Sequence, residues 1–282
     1  MTPERKQEVE AYLARQAAIK EAEQEFTRTI NRDKRYNTTQ RQVRQAVQAL
    51  NRDSSAYKQM PWRDLAHVVG NIGPAELWYV VMMSGNGKTT FFASFAEAML
   101  ARGDKVYVMA TESTPHVFRT HLACRPLGYN PGDLLSGEYL QWPNAQQMRD
   151  AVIAEMEIMS RAEGDAWENL TISEATHFSV ESVTKAAHEA AEAGADWFLV
   201  DHVDHLGVSS GQSEYSVSFA ANGALFEMKN RFGLRVLGSS QVNHQVTKGN
   251  PLAYFTVPQD DWIKFGSHKK EKSDGVLGGC RV

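Results

Sequence analysis

The chain has 282 residues, 42% of them hydrophobic, and a formal net charge of −4. This length allows one large domain with an appendage. The charge argues against a uniformly basic nucleic-acid coat protein but leaves room for a local basic groove. Two cysteines, Cys124 and Cys280, give neither a disulfide framework nor metal-ligand spacing. The charged N-terminus is unlike a signal peptide and no apolar run could span a bilayer, so we expect a cytoplasmic protein.

Residues 1–60 differ from the rest of the chain and are predicted to form a helical arm and linker. Apolar residues recur mostly at spacings typical of an amphipathic helix, namely Val9, Tyr12, Leu13, Ile19, Ala22, Phe26 and Ile30. The stretch 28–52 is basic, with only Asp33 opposing. Such a stretch is typical of a solvated helix face, while a docking arm or a nucleic-acid contact stays open.

Residues 61–282 are predicted to form an α/β domain in which strands and helices alternate. Apolar runs predict strands at 78–83, 105–111, 168–173, 196–201 and 234–239. Helical patterns lie between them at 88–101, 114–124, 145–162, 179–193 and 215–232. This order favours a mainly parallel sheet with helices on both faces. Ligands of such sheets bind at the carboxyl ends of the strands.

The most informative stretch follows the first of these strands and leads into the first of these helices. It consists of Ser84, Gly85, Asn86, Gly87, Lys88, Thr89 and Thr90. Small loop residues let backbone N–H groups surround phosphates, the lysine neutralises their charge, and the threonine hydroxyl reaches Mg²⁺. The full phosphate-loop pattern has glycine at position 82, where this chain has Met82.

Acidic residues end two other predicted strands. Asp201 follows the apolar run 197–200, and in a phosphate-loop protein such an acid completes the Mg²⁺ site. Glu112 follows the strand at 105–111, at the edge where a carboxylate could orient or deprotonate the water that attacks a γ-phosphate. Glu112 also fits a helix N-terminal acid, and both roles are compatible.

Two further polar segments follow strands. Gln241 follows the strand at 234–239 and is a candidate γ-phosphate contact, although a plain polar exit from a strand is equally consistent with the pattern. The run His202, Asp204 and His205 suggests zinc ligands. Because alternate strand residues point to opposite faces, we do not expect these side chains to form one metal cluster.

The loops after the last strands are candidates for nucleic-acid contact. One covers residues 207–213; another covers 244–258 and contains Lys248. A positive cluster follows at 268–272, including Lys269 and Lys270. Such loops can follow a nucleic-acid backbone through charge and backbone N–H groups, although solvated surface charge explains them as well.

The order of these pieces resembles the RecA-like motor domain of DnaB-type replicative helicases, a group that includes phage enzymes. The resemblance covers roughly residues 60–282 and rests on four segments in this order: Lys88-Thr89, then Thr111-Glu112-Ser113, then 199–203, then 239–243. It implies a ring-shaped, usually hexameric ATPase that moves 5′ to 3′ along single-stranded DNA. It also implies ATP and Mg²⁺ as ligands, and primase or a helicase loader as partners.

The resemblance also implies a role for each matching residue. Ser84 to Thr90 would bind the nucleotide, with Lys88 on the phosphates, and Thr89 and Asp201 would hold Mg²⁺. Glu112 would activate water, and Gln241 would sense the γ-phosphate and couple it to DNA-contacting loops. Those DNA contacts would involve His244, Lys248, Lys269 and Lys270. The helix near residues 5–30 would match the linker helix that packs on a neighbouring subunit.

The sequence departs from the family at two further points. His244 stands where the family often has arginine. The family continues into a strand with a Lys-x-Arg that reaches the neighbouring active site, and Arg281 is the nearest candidate here for that contact. The domain is therefore expected to lack its last strands. Two alternatives stay open: a RecA-like recombinase or strand-annealing ATPase, and a non-catalytic nucleotide-binding loader module.

Overall fold

The computed structural model describes residues 56–85, 87–160, 166–242 and 273–278. Residues 1–55 of the arm and linker predicted at 1–60 lie outside the described residues. Contacts group Tyr57–Val282 into one compact unit. In the described part of the chain, no helix has both the length and the apolar character needed to cross a membrane.

Helices and strands alternate through the unit. The strands are β1 (Lys58–Gln59), β2 (Asn71–Ile72), β3 (Leu77–Met82), β4 (Val106–Ala110), β5 (Leu170–Glu174), β6 (Trp197–Asp201), β7 (Arg235–Gln241) and β8 (Gly275–Gly278). The α-helices are α1 (Arg63–Val69), α2 (Lys88–Leu100), α3 (Pro115–Leu127), α4 (Pro131–Ser136), α5 (Ala145–Ser160), α6 (Val180–Glu192) and α7 (Glu214–Phe232). Among the described residues, 3₁₀ turns also span Glu138–Gln141 and Ala166–Asn169.

Six of these strands form one parallel sheet in the order β5-β4-β6-β7-β3-β8. The predicted α/β class with a mainly parallel sheet is therefore confirmed. The two remaining strands, β1 and β2, form a small antiparallel sheet that the apolar pattern did not predict. The boundary placed at residue 60 and the absence of final strands stay predictions.

Alternating side chains of the strands build a separate core on each face of the sheet. On one face, Tyr79 and Phe198 pack in a cluster completed by α6 and α7. On the other, Val80 and Leu199 join the buried faces of α2, α3 and α5. Because successive strand residues point to opposite faces, strands buried on both sides are apolar throughout. This is why runs such as 197–200 predicted strands correctly.

Local chemistry fixes the ends of the helices on the first face. Ser179 and Ser182 form a reciprocal capping box at the start of α6, and Ser213 accepts a hydrogen bond from a backbone N–H at the start of α7. Gly233 ends α7 in the left-handed conformation at φ 70°, which glycine adopts without a steric cost. β7 follows directly, so this turn sets where that strand enters the sheet.

A buried hydrogen bond joins the sheet to α7 and gives a first prediction. The Tyr79 hydroxyl donates to Asn222 Oδ1 at 2.5 Å, and both residues are fully buried. Tyr79→Phe leaves that oxygen without its donor, so we expect a loss of about 1–3 kcal/mol in the free energy of unfolding by urea. Tyr129→Phe, at a partly exposed position after α3, is the control and should change it by less than about 0.5 kcal/mol. Equal effects of the two substitutions would contradict the expectation.

Cys124 gives a second prediction, because it reports on the packing of α3. The side chain is fully buried, and burial raises the pKa of its thiol to about 11. Since the thiolate is the reactive form, only about one thiol in 10³ is ionised at about pH 8. In a Cys280→Ser variant, whose single thiol is Cys124, we expect a thiol reagent to label the protein only once urea unfolds it. Rapid labelling of the native protein would be the opposite result.

Candidate nucleotide-binding site

The carboxyl ends of four strands meet at one edge of the sheet. β3 pairs with β7 so that Met82 lies beside Gln241, and β4 pairs with β6 so that Ala110 lies beside Asp201. Glu112 follows β4 by two residues. The predicted candidate residues at these strand ends are thus brought to the same edge of the sheet.

The loop after β3 turns sharply into α2. Gly85 and Gly87 have φ values of 76° and 81°, in the left-handed region that favours glycine. Gly87 is the residue before α2 and has no side chain to cap the helix. The first N–H groups of α2 therefore lack a capping side chain, and the helix dipole adds positive potential in front of them. Ser84 and both glycines are exposed, so the loop is open to a ligand.

Met82, the departure from the full loop pattern, lies in a strand. It is the last residue of β3 and continues the regular pairing with β7. Its side chain is half-buried against the core on the α2 face. The missing glycine thus falls on extended backbone, and the turn itself depends on Gly85 and Gly87.

Lys88 begins α2 and is buried at 6% exposure. Burial lowers the pKa of its ammonium group, against the opposing influence of the Glu112, Asp201 and Asp204 carboxylates. A positive charge is thus held in a poorly solvated position next to an open loop. An anionic ligand in that loop would compensate the charge.

Asp201 lies at the centre of the site and is fully buried. Its two carboxylate oxygens accept hydrogen bonds from the hydroxyls of Thr89 at 2.9 Å and Ser239 at 2.8 Å. Carboxylate and hydroxyl oxygens are the ligands that Mg²⁺ prefers in proteins. The side chains of Thr89 and Asp201 are already adjacent, so this pair fits the predicted metal site.

Glu112 is half exposed beside this buried centre. Its Oε2 accepts a hydrogen bond from His202 Nε2 at 2.8 Å. That bond, with a smaller contribution from the charge of Lys88, holds the pKa of Glu112 below its usual value. The backbone N–H groups of Thr111 and Glu112 donate to the Asp201 carbonyl at 2.7 and 3.3 Å, which fixes the end of β4 against β6.

The main chain of Gln241 is held in place by the Asp204 carboxylate. The Asp204 carboxylate accepts from the Gln241 backbone N–H at 2.6 Å and from the Ser240 hydroxyl at 2.8 Å. The Gln241 side-chain amide lies 3.2 Å from His202 Nε2. Thr89 and Asp201 are therefore in direct contact, and Glu112 and Gln241 are joined through His202.

Sequence reasoning missed the part played by residues 202–205. It weighed His202, Asp204 and His205 only as zinc ligands, and the described residues contain no cluster of three potential metal-ligating side chains. Because β6 ends at Asp201, strand alternation does not govern the side chains that follow. The signal in the sequence that could have indicated a role for these residues is their position. Polar residues directly after an apolar strand lie at the edge of the sheet where ligands bind.

The remaining predicted site residues lie outside the described residues. They are Asn86, His244, Lys248, Lys269, Lys270 and Arg281. The loop at 207–213 is described, and residues 208–213 are exposed. Thr90 is partly buried, with its hydroxyl 3.2 Å from His121 Nδ1 on α3.

No protein-family model and no curated protein matches the chain. Solved structures are similar in fold, and two of them are informative. An isolated ATPase domain has a TM-score of 0.62 at 14% identity, over 83% of this chain and 81% of that chain. A DnaB-like replicative helicase, described with its interactions with primase, has a TM-score of 0.57 at 15% identity, over 72% of this chain and 46% of that chain.

The likeness confirms the predicted fold, that of the RecA-like domain of DnaB-type helicases. The chain spans just under half the length of the DnaB-like helicase that it matches, and most of the length of the isolated ATPase domain. The comparisons give no support to a phage origin, which stays a prediction.

Proposed function

We propose that this chain is an ATP-dependent DNA helicase motor, which couples ATP hydrolysis to translocation on single-stranded DNA and to duplex unwinding in replication. The observation that carries the proposal is the assembly at one sheet edge of a phosphate loop, a buried Asp201–Thr89 pair, a half-exposed Glu112 and the sensor candidate Gln241. These are the parts needed to hold a nucleoside triphosphate and to activate water against it.

Binding begins at the loop. The first N–H groups of α2 and the glycine turn would receive the phosphates, and the buried ammonium of Lys88 would neutralise them. Thr89 and Asp201 would hold Mg²⁺, and the bound ion would supply positive charge to neutralise the phosphates. Ser239 supports this pair by donating to the second oxygen of Asp201. The carboxylate thereby keeps its orientation in the site.

Glu112 is the residue that would activate water for hydrolysis. Its low pKa keeps the side chain ionised, so it can accept a proton from, or orient, the water that attacks the γ-phosphate. Gln241 would contact the same phosphate and couple its presence to the loop at 244–258. There His244 and Lys248, with Lys269 and Lys270 further on, would meet single-stranded DNA.

The assembly belongs to the same proposal. We expect a homo-oligomeric ring, hexameric by resemblance, with an arginine from a neighbouring subunit completing each site and Arg281 as its candidate. The primase named with the DnaB-like neighbour supports primase as a partner here. Movement from 5′ to 3′ and a cytoplasmic location complete the proposal.

The test is an ATPase assay of the full chain with and without single-stranded DNA, beside unwinding of forked duplexes and imaging of the particles. The proposal expects DNA-stimulated turnover, unwinding that depends on a 5′ tail, and rings. Stimulated turnover with filaments and no unwinding would instead indicate the recombinase alternative. ATP binding with no turnover, even with partner proteins added, would indicate a loader module.

A further inference from the structure

His202 occupies a buried position between Glu112 and Gln241, the two groups proposed to act on the γ-phosphate. It directly follows Asp201 and is 4% exposed. The hydroxyl of Thr111 accepts from the His202 backbone N–H at 2.8 Å and donates to the His202 carbonyl at 2.6 Å. Both backbone groups of His202 are thus held by the residue before Glu112, which fixes the His202 main chain relative to the end of β4.

One hydrogen bond determines which ring nitrogen of His202 carries the proton. The backbone N–H of Asp204 donates to His202 Nδ1 at 3.0 Å, so Nδ1 is an acceptor without hydrogen. A neutral imidazole then carries its proton on Nε2. His202 therefore presents a single N–H group towards the site.

Two side chains lie within reach of that single N–H group. Glu112 Oε2 accepts it at 2.8 Å, and the Gln241 amide is 3.2 Å from the same nitrogen. An amide nitrogen cannot accept a hydrogen bond, so Gln241 can compete for the proton only after its amide turns and brings Oε1 forward. The observed arrangement pairs His202 with Glu112 and leaves Gln241 as the competitor.

We propose that His202 is a positioning residue that holds the Glu112 carboxylate and exchanges its Nε2–H between Glu112 and Gln241. This proposal rests on the proposed ATPase function. When Gln241 turns to the γ-phosphate, the hydrogen bond of His202 belongs to Glu112 alone, and the carboxylate is fixed for its contact with water. When Gln241 instead turns its Oε1 towards His202, the two groups compete for the Nε2–H and Glu112 is less well oriented.

Two amide substitutions distinguish the roles of the two ring nitrogens of His202. His202→Gln places an N–H near the position of Nε2, whereas His202→Asn keeps an acceptor near Nδ1 and loses the donor to Glu112. We expect His202→Asn to lower kcat about 10–100-fold with KM for ATP changed less than about twofold, as for other residues that orient a reacting group. His202→Gln should recover a large part of that loss.

A double substitution tests the route through Glu112. In a Glu112→Gln background, His202→Asn should cause little further loss of kcat, because the group that it positions is already disabled. Full additivity of the two losses would overturn the proposal. Equal losses in His202→Gln and His202→Asn, or a rise of KM in step with the fall of kcat, would do the same. His188→Asn, on α6 away from the site, is the control for histidine replacement.

A measurement that does not need turnover separates this proposal from the proposed function. In protein labelled with ¹⁵N-histidine, the long-range nitrogen–proton couplings of His202 should show hydrogen on Nε2 and none on Nδ1. Hydrogen on Nδ1 would overturn the proposal whatever the ATPase rate. Absence of wild-type turnover together with an Nε2–H ring would instead reject the proposed function and leave the hydrogen bond to Glu112 in place.

Discussion

Lys88→Ala should reduce ATP turnover by at least about 10²-fold in kcat/KM, because it removes a buried cation that lies next to the phosphate loop. The loss should appear in binding as well as in rate, since the ammonium group attracts the phosphates before and during the reaction. Titration with a fluorescent ATP analogue and a steady-state ATPase assay measure the two effects separately.

Lys185→Ala is the matched control, because it removes a lysine from the exposed surface of α6. Its side chain is 76% exposed, and its Nζ lies 3.9 Å from Glu189 Oε1 within the same helix. Turnover and ATP affinity should stay at wild-type values. If Lys88→Ala behaved like Lys185→Ala, the loop would not be the phosphate site.

Glu112→Gln should lower kcat by about 10²–10⁴-fold while ATP binding is retained, because the substitution removes the proposed proton acceptor but keeps the shape of the side chain. The sign of the pH dependence follows from the pKa of Glu112, which is lowered chiefly by the His202 hydrogen bond. The pKa of the Glu112 carboxyl lies below 4.5, the ordinary value for this side chain. The carboxylate is therefore ionised at pH 4.5 and above, and its protonation should not reduce turnover in that range. Single-turnover kinetics with prebound ATP measure the chemical step.

Glu174→Gln provides the comparison. Glu174 ends β5, the strand next to β4, at the same edge of the sheet, and it is exposed. Its substitution should leave kcat within about twofold of wild type, as expected for a surface position outside the site. Loss of ATP binding in Glu112→Gln would count against a purely chemical role for that carboxylate.

The large elements of the fold were predictable because their apolar residues are buried on both faces of the sheet. The strand predicted at 196–201 is Trp197–Asp201, and the helix predicted at 179–193 is Val180–Glu192. The short elements were not predictable from patterns. Lys58–Gln59 and Asn71–Ile72 are too short for a periodicity, and tertiary contacts such as the Lys58–Asp104 ion pair at 2.6 Å help hold that region in place.

The candidate site was likewise predictable from the sequence only in part. Lys88, Thr89, Glu112 and Asp201 could be found because each lies at the end of a strand, just after one, or in the first turn of a helix, in a recognisable order. The contacts of His202 could not, because they depend on the path of the chain after β6. Which ring nitrogen of His202 carries the proton depends in turn on the backbone N–H of Asp204, and no residue pattern contains that information.

The buried hydrogen bonds of Asp204 have a consequence for the speed of the proposed sensor. They fix the main chain of Gln241 and the Ser240 hydroxyl, while the Gln241 side chain stays partly exposed. Any response of Gln241 to a phosphate is then a rotamer change, a motion that takes picoseconds to nanoseconds in exposed side chains. Detection of the nucleotide state would thus be complete long before a backbone segment could rearrange, and the timing of each cycle would be set by slower steps elsewhere.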